Sequence, residues 1–177
     1  MRVKIKEIEK RDLKEVFQIL HENYVRLVGK SDEFIRRYDL KLYGSTYKYL
    51  TLSNLRSWFE RRNEEKERIL VARIGEGKTE KVVGFIDFTK GEQICYIEEL
   101  HVKIGFRRRG IGSTLLKRGE DLVSKYNRLV ILESNLYALP FFLKHDYVCG
   151  CKAYDYISLP FYFLFKKLHS KKSQKNF

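Results

Sequence analysis

The sequence predicts a mixed α/β fold in which a mostly antiparallel central sheet of seven strands carries helices on both faces. Apolar residues alternate with polar ones in short runs, which is typical of strands, and recur every three or four residues in longer segments, which is typical of amphipathic helices. Glycine-containing turns separate the runs, and only two prolines occur among 177 residues. The length suits a single domain with one hydrophobic core.

In the first half of the chain, a strand around Val3 to Ile8 precedes a helix for which Asp12 is the predicted N-terminal cap. A second helix is predicted from Ser53 to Glu67, because its apolar residues fall on one side. Three strands follow, and the glycine turns between them indicate an antiparallel meander. These strands cover residues 69–74, 81–88 and 94–102.

The second half begins with a turn rich in glycine and arginine, followed by a helix from Gly110 to Tyr126. A buried strand, a short helix and two further strands complete the order β-α-α-β-β-β-α-β-α-β-β. These last elements cover residues 128–133, 138–145, 147–154 and 161–167. We therefore expect residues 1–168 to form one domain and residues 169–177 to form a basic, flexible tail.

The chain has 36 basic and 23 acidic residues, which gives a net charge of +13. Such a surplus favours anionic partners such as phosphates or nucleic acid, but it says nothing about the fold. An apolar content of 44% excludes an intrinsically disordered chain. No apolar stretch is long enough to span a membrane, and the charged start, Met1 to Lys4, does not resemble a secretory signal.

Three cysteines, Cys95, Cys149 and Cys151, are expected to be reduced, partly buried thiols in a cytoplasmic protein. The last two form a C-x-C pair, which lacks the two-residue spacer of zinc sites and thioredoxin-like motifs. The histidines do not have metal-ligand spacing either, so no metal is expected.

The segment from residue 97 to residue 116 carries the clearest chemical signal. A strand leads into three consecutive arginines, and Gly110-Ile111-Gly112 then opens an amphipathic helix. Free N–H groups and the positive end of the helix dipole make a helix start an anion site, and glycines let a phosphate approach closely. A pyrophosphate ligand follows from this pattern. The segment does not match the P-loop pattern. It does not match the dinucleotide-binding pattern G-x-G-x-x-G either, because Leu115 stands where the third glycine is required.

What remains resembles the acetyl-CoA motif of the GNAT superfamily of N-acetyltransferases. The resemblance rests on Leu100-x-Val102, on R-x-x-G-x-G ending at Gly112, and on a downstream segment, Asn135-x-x-Ala138-x-x-Phe141-Phe142, that is similar to the family's N-x-x-A-x-x-F-Y box. It covers residues 69–165, and the order of elements agrees with the acyl-CoA N-acyltransferase fold. The resemblance implies that strands 4 and 5 splay apart and that acetyl-CoA is the cofactor.

The same resemblance assigns cofactor-binding residues. Leu100, His101 and Val102 would act through their backbone groups on the pantetheine arm and the thioester carbonyl. The pyrophosphate would be cradled by the following turn and helix start, and the downstream box would complete the site. The residues so implied are Arg107, Arg108, Arg109, Gly110, Ile111, Gly112, Ser113, Asn135 and Phe142.

An amine must be neutral to attack a thioester, and a lysine-like amine is neutral only about once in 10³ at neutral pH. A general base is therefore useful. Glu98 and Glu99 come just before the segment of the strand that would bind the cofactor, and strand alternation predicts that their side chains point to opposite faces of the sheet. Tyr96-Ile97-Glu98-Glu99 resembles the Y-[IL]-E-[DE] of polyamine and thialysine-type members, which favours Glu98. The family's usual general acid is a tyrosine where this chain has Phe142, so water or another tyrosine must serve, namely Tyr137, Tyr154 or Tyr156.

The resemblance implies transfer of an acetyl group to a primary amine, on a small molecule or on a protein N-terminus or lysine. The acceptor side would be lined by residues 26–52, with four tyrosines (Tyr38, Tyr43, Tyr47, Tyr49), and by residues 151–160. A CoA-binding or nucleic-acid-associated module with little catalysis is the alternative, and an acceptor carried on RNA or the ribosome lies between the two. A homodimer through the C-terminal strands is compatible with the resemblance.

Overall fold

The computed structural model describes residues 2–28, 51–125, 128–154 and 160–168. The tyrosines at positions 38–49, Tyr156 and the lysine-rich tail lie outside the described residues. The described helices are α1 (Leu13–Val28), α2 (Leu52–Arg61), α3 (Ile111–Val123) and α4 (Leu139–Leu143). The strands are β1 (Lys4–Glu7), β2 (Glu67–Ile74), β3 (Lys81–Lys90), β4 (Ile94–Val102), β5 (Leu129–Asn135), β6 (Val148–Tyr154) and β7 (Pro160–Lys167).

The strands form one seven-stranded sheet in the order β1-β2-β3-β4-β5-β7-β6. Short turns join β2, β3 and β4, which therefore pair antiparallel as predicted. Helix α3 crosses over between β4 and β5, and these two strands are parallel. The predicted mixed, mostly antiparallel sheet with helices on both faces is confirmed.

Strands β4 and β5 pair only over their first halves. Their register runs from Ile94 opposite Leu129 to Ile97 opposite Leu132, and β4 then continues to Val102 without pairing to β5. The expected splay is therefore present, and it begins immediately before the two candidate glutamates.

Each face of the sheet carries its own apolar layer. On one face α3 packs through Leu115 and Leu116 onto the β3 residues Ile86 and Phe88. On the other face α1 and α2 cover Phe85 together with Ile69 and Val71 of β2. Successive strand residues point to opposite faces, so β3, buried on both, reads as a nearly continuous apolar run.

Helix α2 ends at Arg61, six residues before the predicted end. The backbone is extended at Arg62, and the side-chain oxygen of Asn63 accepts a hydrogen bond from the N–H of Glu65, an Asx turn that breaks the helix. Glu67 instead starts β2 and accepts a 2.8 Å bond from the Trp58 indole. Helical periodicity alone did not indicate this turn.

A buried ion-pair cluster ties the start of α1 to β2. The guanidinium of Arg73, a residue only 1% exposed, lies 2.6 Å from the Asp12 carboxylate, 3.0 Å from Glu9 and 3.5 Å from Glu80. Asp12 also accepts a 2.7 Å bond from the N–H of Glu9. Asp12, predicted as the residue that caps the helix, thus closes the 3₁₀ turn before α1 and neutralises a buried arginine.

The cysteine prediction is partly wrong. Cys95 is buried in the layer beneath α3, and burial raises the pKa of its thiol to about 12. Cys149 and Cys151 are exposed on β6, which is an edge strand, so they are not partly buried. All three thiols are free.

The turn between α4 and β6 stores backbone strain at Asp146, whose φ of 64° lies in the left-handed region. We expect Asp146→Gly to raise the free energy of unfolding by about 0.5–1 kcal/mol, because glycine relieves the steric cost but loses more chain entropy. Urea denaturation measures the change. Asp146→Ala is the control and should give no gain, since alanine has the same steric cost; an equal gain in both variants would contradict the explanation.

Candidate active site

The start of α3 presents free backbone donors. Gly110, the residue before the helix, has a φ of 78°, and its carbonyl accepts the first helical hydrogen bond from the N–H of Thr114 at 3.0 Å. The N–H groups of Ile111, Gly112 and Ser113 precede that bond and have no acceptor within the helix. These three N–H groups and the positive end of the helix dipole make the start of α3 a candidate anion site.

The turn before α3 supplies positive charge and little obstruction. Arg108 and Arg109 are exposed, Arg108 adopts a left-handed φ of 62°, and Arg109 lies over the Phe106 ring at 5.6 Å. No carboxylate occurs between residues 103 and 119. A Cβ at Gly110 would meet nothing within 4 Å. The residues present therefore fit a diphosphate: positive charge, free donors and open space coincide.

Among the described residues, the side chain of Arg107, unlike those of Arg108 and Arg109, is hydrogen-bonded to β4 and α1. Its Nε donates to the carbonyl of Val102 at 3.1 Å, and its Nη2 donates to the side-chain oxygen of Asn23 on α1 at 2.6 Å. The Asn23 amide also donates to that carbonyl at 3.3 Å. The Val102 carbonyl, expected to meet the pantetheine arm, thus already has protein donors, and Arg107 braces the parted end of β4.

The side chains of Leu100 and Val102 pack against the layer beneath α3. Backbone pairing of this segment is to β3, where Leu100 is opposite Ile86 and Val102 is opposite Gly84. The edge that faces β5 is open, because pairing with β5 ended at Ile97. Backbone groups along this edge are therefore placed to meet an extended ligand arm, as β-strand addition requires.

Two predicted cofactor residues have structural roles. The Asn135 side-chain oxygen accepts 3.0 Å bonds from the N–H groups of Tyr137 and Ala138, which fixes the turn after β5. Phe142 is 6% exposed and packs edge-on against Phe141 and against Tyr147. Their contact with the cofactor stays a prediction, and the described contacts of Phe142 are those of a core residue.

The two candidate bases lie in an irregular part of β4. Asp87 of β3 is opposite Glu99, whereas the next residue, Phe88, is opposite Ile97. Glu98 is therefore an extra residue in β4, which is a β-bulge. A bulge interrupts strand alternation, and the prediction that Glu98 and Glu99 point to opposite faces is wrong.

Both carboxylates lie on the face that α1 covers. Glu98 accepts a hydrogen bond from the Thr89 hydroxyl, and Glu99 lies 2.7 Å from Nε2 of His101. The His101 ring stacks on Phe85 at 5.4 Å, and Phe85 belongs to the layer beneath α1. Thr89 is four residues after Phe85 on the same strand and shares its face.

Further acidic groups share this face with Glu98 and Glu99. Asp87 lies between Phe85 and Thr89 in the alternation of β3 and is fully buried. The Tyr96 hydroxyl donates a 3.0 Å bond to Glu133 of β5. Burial, and secondly the nearby carboxylates, raise the pKa of Tyr96. In a chain of net charge +13, the apex of the splay is locally acidic.

A fixed hydrogen-bond network holds His101. Its Nδ1 lies 3.2 Å from the Asn23 amide nitrogen, which can only donate, so Nδ1 accepts and Nε2 carries the hydrogen that faces Glu99. The side chain of His101, predicted to act only through its backbone, therefore orients a candidate base. Sequence reasoning missed Asn23 and Glu133, since their contacts cross between elements far apart in the chain.

Comparison with known families gives a match to the family described as Acetyltransferase (GNAT) family, over residues 30–147. The chain belongs to the GNAT family of acetyltransferases. Among curated proteins there is no significant match. Among the described helices, none is long and apolar enough to cross a membrane.

Solved structures of GNAT proteins share the fold. PaiA N-acetyltransferase from Thermoplasma acidophilum, in complex with coenzyme A, is 19% identical, with 94% of this chain and 99% of that chain covered and a TM-score of 0.73. Ard1 from Thermoplasma volcanium is 20% identical, with 96% and 99% covered and a TM-score of 0.67. An N-acetyltransferase from Staphylococcus aureus Mu50 is 20% identical, with 96% and 100% covered and a TM-score of 0.65.

Membership of the GNAT family makes acetyl-CoA the co-substrate of this chain. The anion site at α3 offers hydrogen-bond donors that fit the diphosphate of acetyl-CoA. The open edge of β4 fits its extended pantetheine arm. The polyamine-type similarity suggested by Tyr96 to Glu99 is not confirmed by the comparisons.

Proposed function

We propose that this protein is a cytoplasmic N-acetyltransferase that transfers the acetyl group of acetyl-CoA to a primary amine by direct attack through a tetrahedral intermediate. The observation that carries the proposal is the bulged, acidic segment at the point where β4 parts from β5. Here two carboxylates lie beside a strand edge that does not pair with β5, and β4 continues from this point to Val102 and the turn before α3. This combination supports acyl transfer better than cofactor binding alone.

The acetyl thioester would enter at the apex of the splay, beside Glu98. Strand N–H groups beyond Ile97 would stabilise the oxyanion, since backbone donors that are already in position need no rearrangement as charge develops. Acetyl-CoA, when bound, supplies the electrophilic carbonyl. Glu98 would take a proton from the ammonium, directly or through one water, and Glu99, held by His101, would hold a second charge near the amine.

The acidic face favours a cationic acceptor. Asp87, Glu98 and Glu99 lie on the face of the sheet that α1 covers, and Glu133 is bound to Tyr96 on the neighbouring strand. Opposite charge at close range stabilises an ammonium group. A small amine or a lysine side chain fits this charge pattern. The expected tyrosines of the acceptor side lie outside the described residues.

The CoA thiolate that leaves in this reaction needs a proton. Tyr137 is 81% exposed and Tyr154 is 60% exposed, so either side chain can reach solvent. Tyr147, by contrast, is buried and donates to Glu120 at 3.0 Å, on the other face of the sheet. We propose that water or one of the two exposed tyrosines supplies the proton.

The test is acetyl transfer measured as thiol release, with polyamines, amino acids, aminoglycosides and lysine peptides as acceptors. We expect turnover with at least one cationic amine and little with neutral or acidic acceptors. Acetyl-CoA binding without turnover on any amine, together with salt-dependent binding of RNA, would support the nucleic-acid-associated alternative instead.

Glu98→Gln is expected to lower kcat at neutral pH by about 100-fold and to steepen the rise of kcat with pH, because the amine then loses its proton only to solvent. Steady-state kinetics across the neutral to alkaline range measure both effects. Glu92→Gln, an exposed carboxylate in the turn before β4, is the control and should match the wild type. A wild-type pH profile in Glu98→Gln would exclude Glu98 as the base, and Glu99→Gln then tests the neighbouring carboxylate.

A further inference from the structure

A histidine outside the GNAT motif contacts the cofactor-binding helix. Nε2 of His145, two residues after α4, lies 2.9 Å from the hydroxyl oxygen of Ser113 in the first turn of α3. Nδ1 of the same ring lies 2.8 Å from the backbone carbonyl of Phe141. The imidazole is therefore held at both nitrogens, and one of its two partners is a residue of the anion site.

The Phe141 carbonyl fixes the tautomer of His145. A carbonyl oxygen only accepts, so Nδ1 must carry a hydrogen. In the neutral ring Nε2 then has a lone pair, and the Ser113 hydroxyl donates its single hydrogen to it. In the protonated ring Nε2 also carries a hydrogen and donates it to the Ser113 oxygen, which leaves the hydroxyl hydrogen free.

The direction of the hydrogen bond between His145 and Ser113 matters, because Ser113 is one of the three residues whose N–H groups form the anion site. Phosphate oxygens only accept hydrogen bonds, so the Ser113 hydroxyl can serve a phosphate only when its hydrogen is not donated to His145. A nearby diphosphate also favours the positively charged imidazole. Both effects favour the same state, in which His145 is protonated and the Ser113 hydroxyl donates its hydrogen to the diphosphate.

We propose that His145 is a positioning residue that orients the Ser113 hydroxyl toward the cofactor diphosphate, and that it takes up a proton when acetyl-CoA binds. The inference rests on the proposed use of the α3 anion site by acetyl-CoA. Within the part of the chain that the structure describes, the His145 ring packs against the Phe141 ring at 4.5 Å. The ionisable side chains nearby in sequence, Lys117 on α3 and Lys144 and Asp146 beside His145, are exposed.

The experiment is titration calorimetry of the full chain with acetyl-CoA, at about pH 7, in two buffers of different ionisation enthalpy. The difference in heat gives the number of protons taken up on binding. The 3′-phosphate of CoA also titrates, with a pKa of about 6, so the measured quantity is the difference between wild type and variant with the same ligand.

His145→Gln is the decisive variant, because an amide donates to Ser113 but does not titrate. We expect it to bind acetyl-CoA with a smaller proton uptake than the wild type, and with affinity that no longer falls by about fivefold from about pH 6 to about pH 8. Ser113→Ala should lose part of this uptake, because the charge of the diphosphate still favours the protonated imidazole. Acetyl-pantetheine, which lacks the diphosphate, should show no difference between wild type and variants.

Equal proton uptake in the wild type and in His145→Gln would overturn the inference, even if the variant binds more weakly, since a purely structural role changes affinity alone. Binding with the expected wild-type uptake but unchanged uptake in Ser113→Ala would overturn the role of the hydroxyl. Absence of acetyl-CoA binding to the wild type would contradict both the inference and the proposed function.

Discussion

Replacing Gly112 with glutamate is expected to abolish acetyl-CoA binding, with a loss of at least about 100-fold in affinity. Gly112 is the second residue of α3, and its N–H group is one of the free donors at the anion site. A carboxylate at this position repels the diphosphate, and as an anion at the start of a helix it competes for the same donors.

Gly112→Ala separates this charge effect from steric hindrance. A Cβ at Gly112 would lie 3.5 Å from the Phe141 ring and 3.7 Å from Val102, which are ordinary contact distances. We therefore expect the alanine variant to fold and to bind acetyl-CoA within about tenfold of the wild type, and Gly112→Glu to fold without binding. Calorimetry measures affinity, and circular dichroism checks the fold. If Gly112→Glu binds acetyl-CoA as tightly as the wild type, the diphosphate does not bind at the start of α3.

Arg73→Met is expected to lower the free energy of unfolding by about 3–5 kcal/mol, because it leaves the buried Asp12 carboxylate without its cation. Asp12 is 3% exposed, and its 2.6 Å contact with Arg73 is the shortest in the cluster. Since a domain of this size is stable by only about 5–15 kcal/mol, the loss is a large fraction of the total. Urea denaturation followed by circular dichroism measures it.

The exposed pair between Lys10 and Glu60 provides a matched control. Its atoms are 2.8 Å apart, but the two side chains are 69% and 57% exposed, so Lys10→Met should cost at most about 0.5 kcal/mol. The double variant Asp12→Asn with Arg73→Met should recover part of the lost stability, since the uncompensated charge is gone. If Lys10→Met and Arg73→Met cost the same, burial is not the cause.

The same cluster gives acid sensitivity. A hydrogen bond from Arg73 lowers the pKa of Glu9, and a hydrogen bond from Lys4 lowers the pKa of Glu80. A carboxyl group with a lowered pKa in the folded state stabilises the fold above its unfolded value, near 4.5, and this stabilisation is lost as the pH falls below that value. Arg73→Met should therefore show a weaker loss of stability between neutral and acidic pH than the wild type.

Much of the fold followed from local patterns. The meander of β2, β3 and β4 was predicted because alternating apolar runs joined by short glycine turns leave antiparallel pairing as the direct solution. The C-terminal end of α2 was not predicted correctly, because the helical pattern continues through charged residues whereas an Asx turn at Asn63 ends the helix. Turns formed by one side chain leave a weak trace in sequence periodicity.

The sequence by itself indicated the GNAT family, which the family comparison shows, and it predicted an anion site at the start of α3 and a pair of candidate glutamates on β4, because these depend on residues adjacent in the chain. Only the tertiary structure decided which way those groups point. The bulge brings Glu98 and Glu99 to one face, Asn23 reaches His101 and Arg107 from α1, and His145 meets Ser113. Such contacts join residues far apart in sequence, so their geometry is set by packing between elements and not by local propensity.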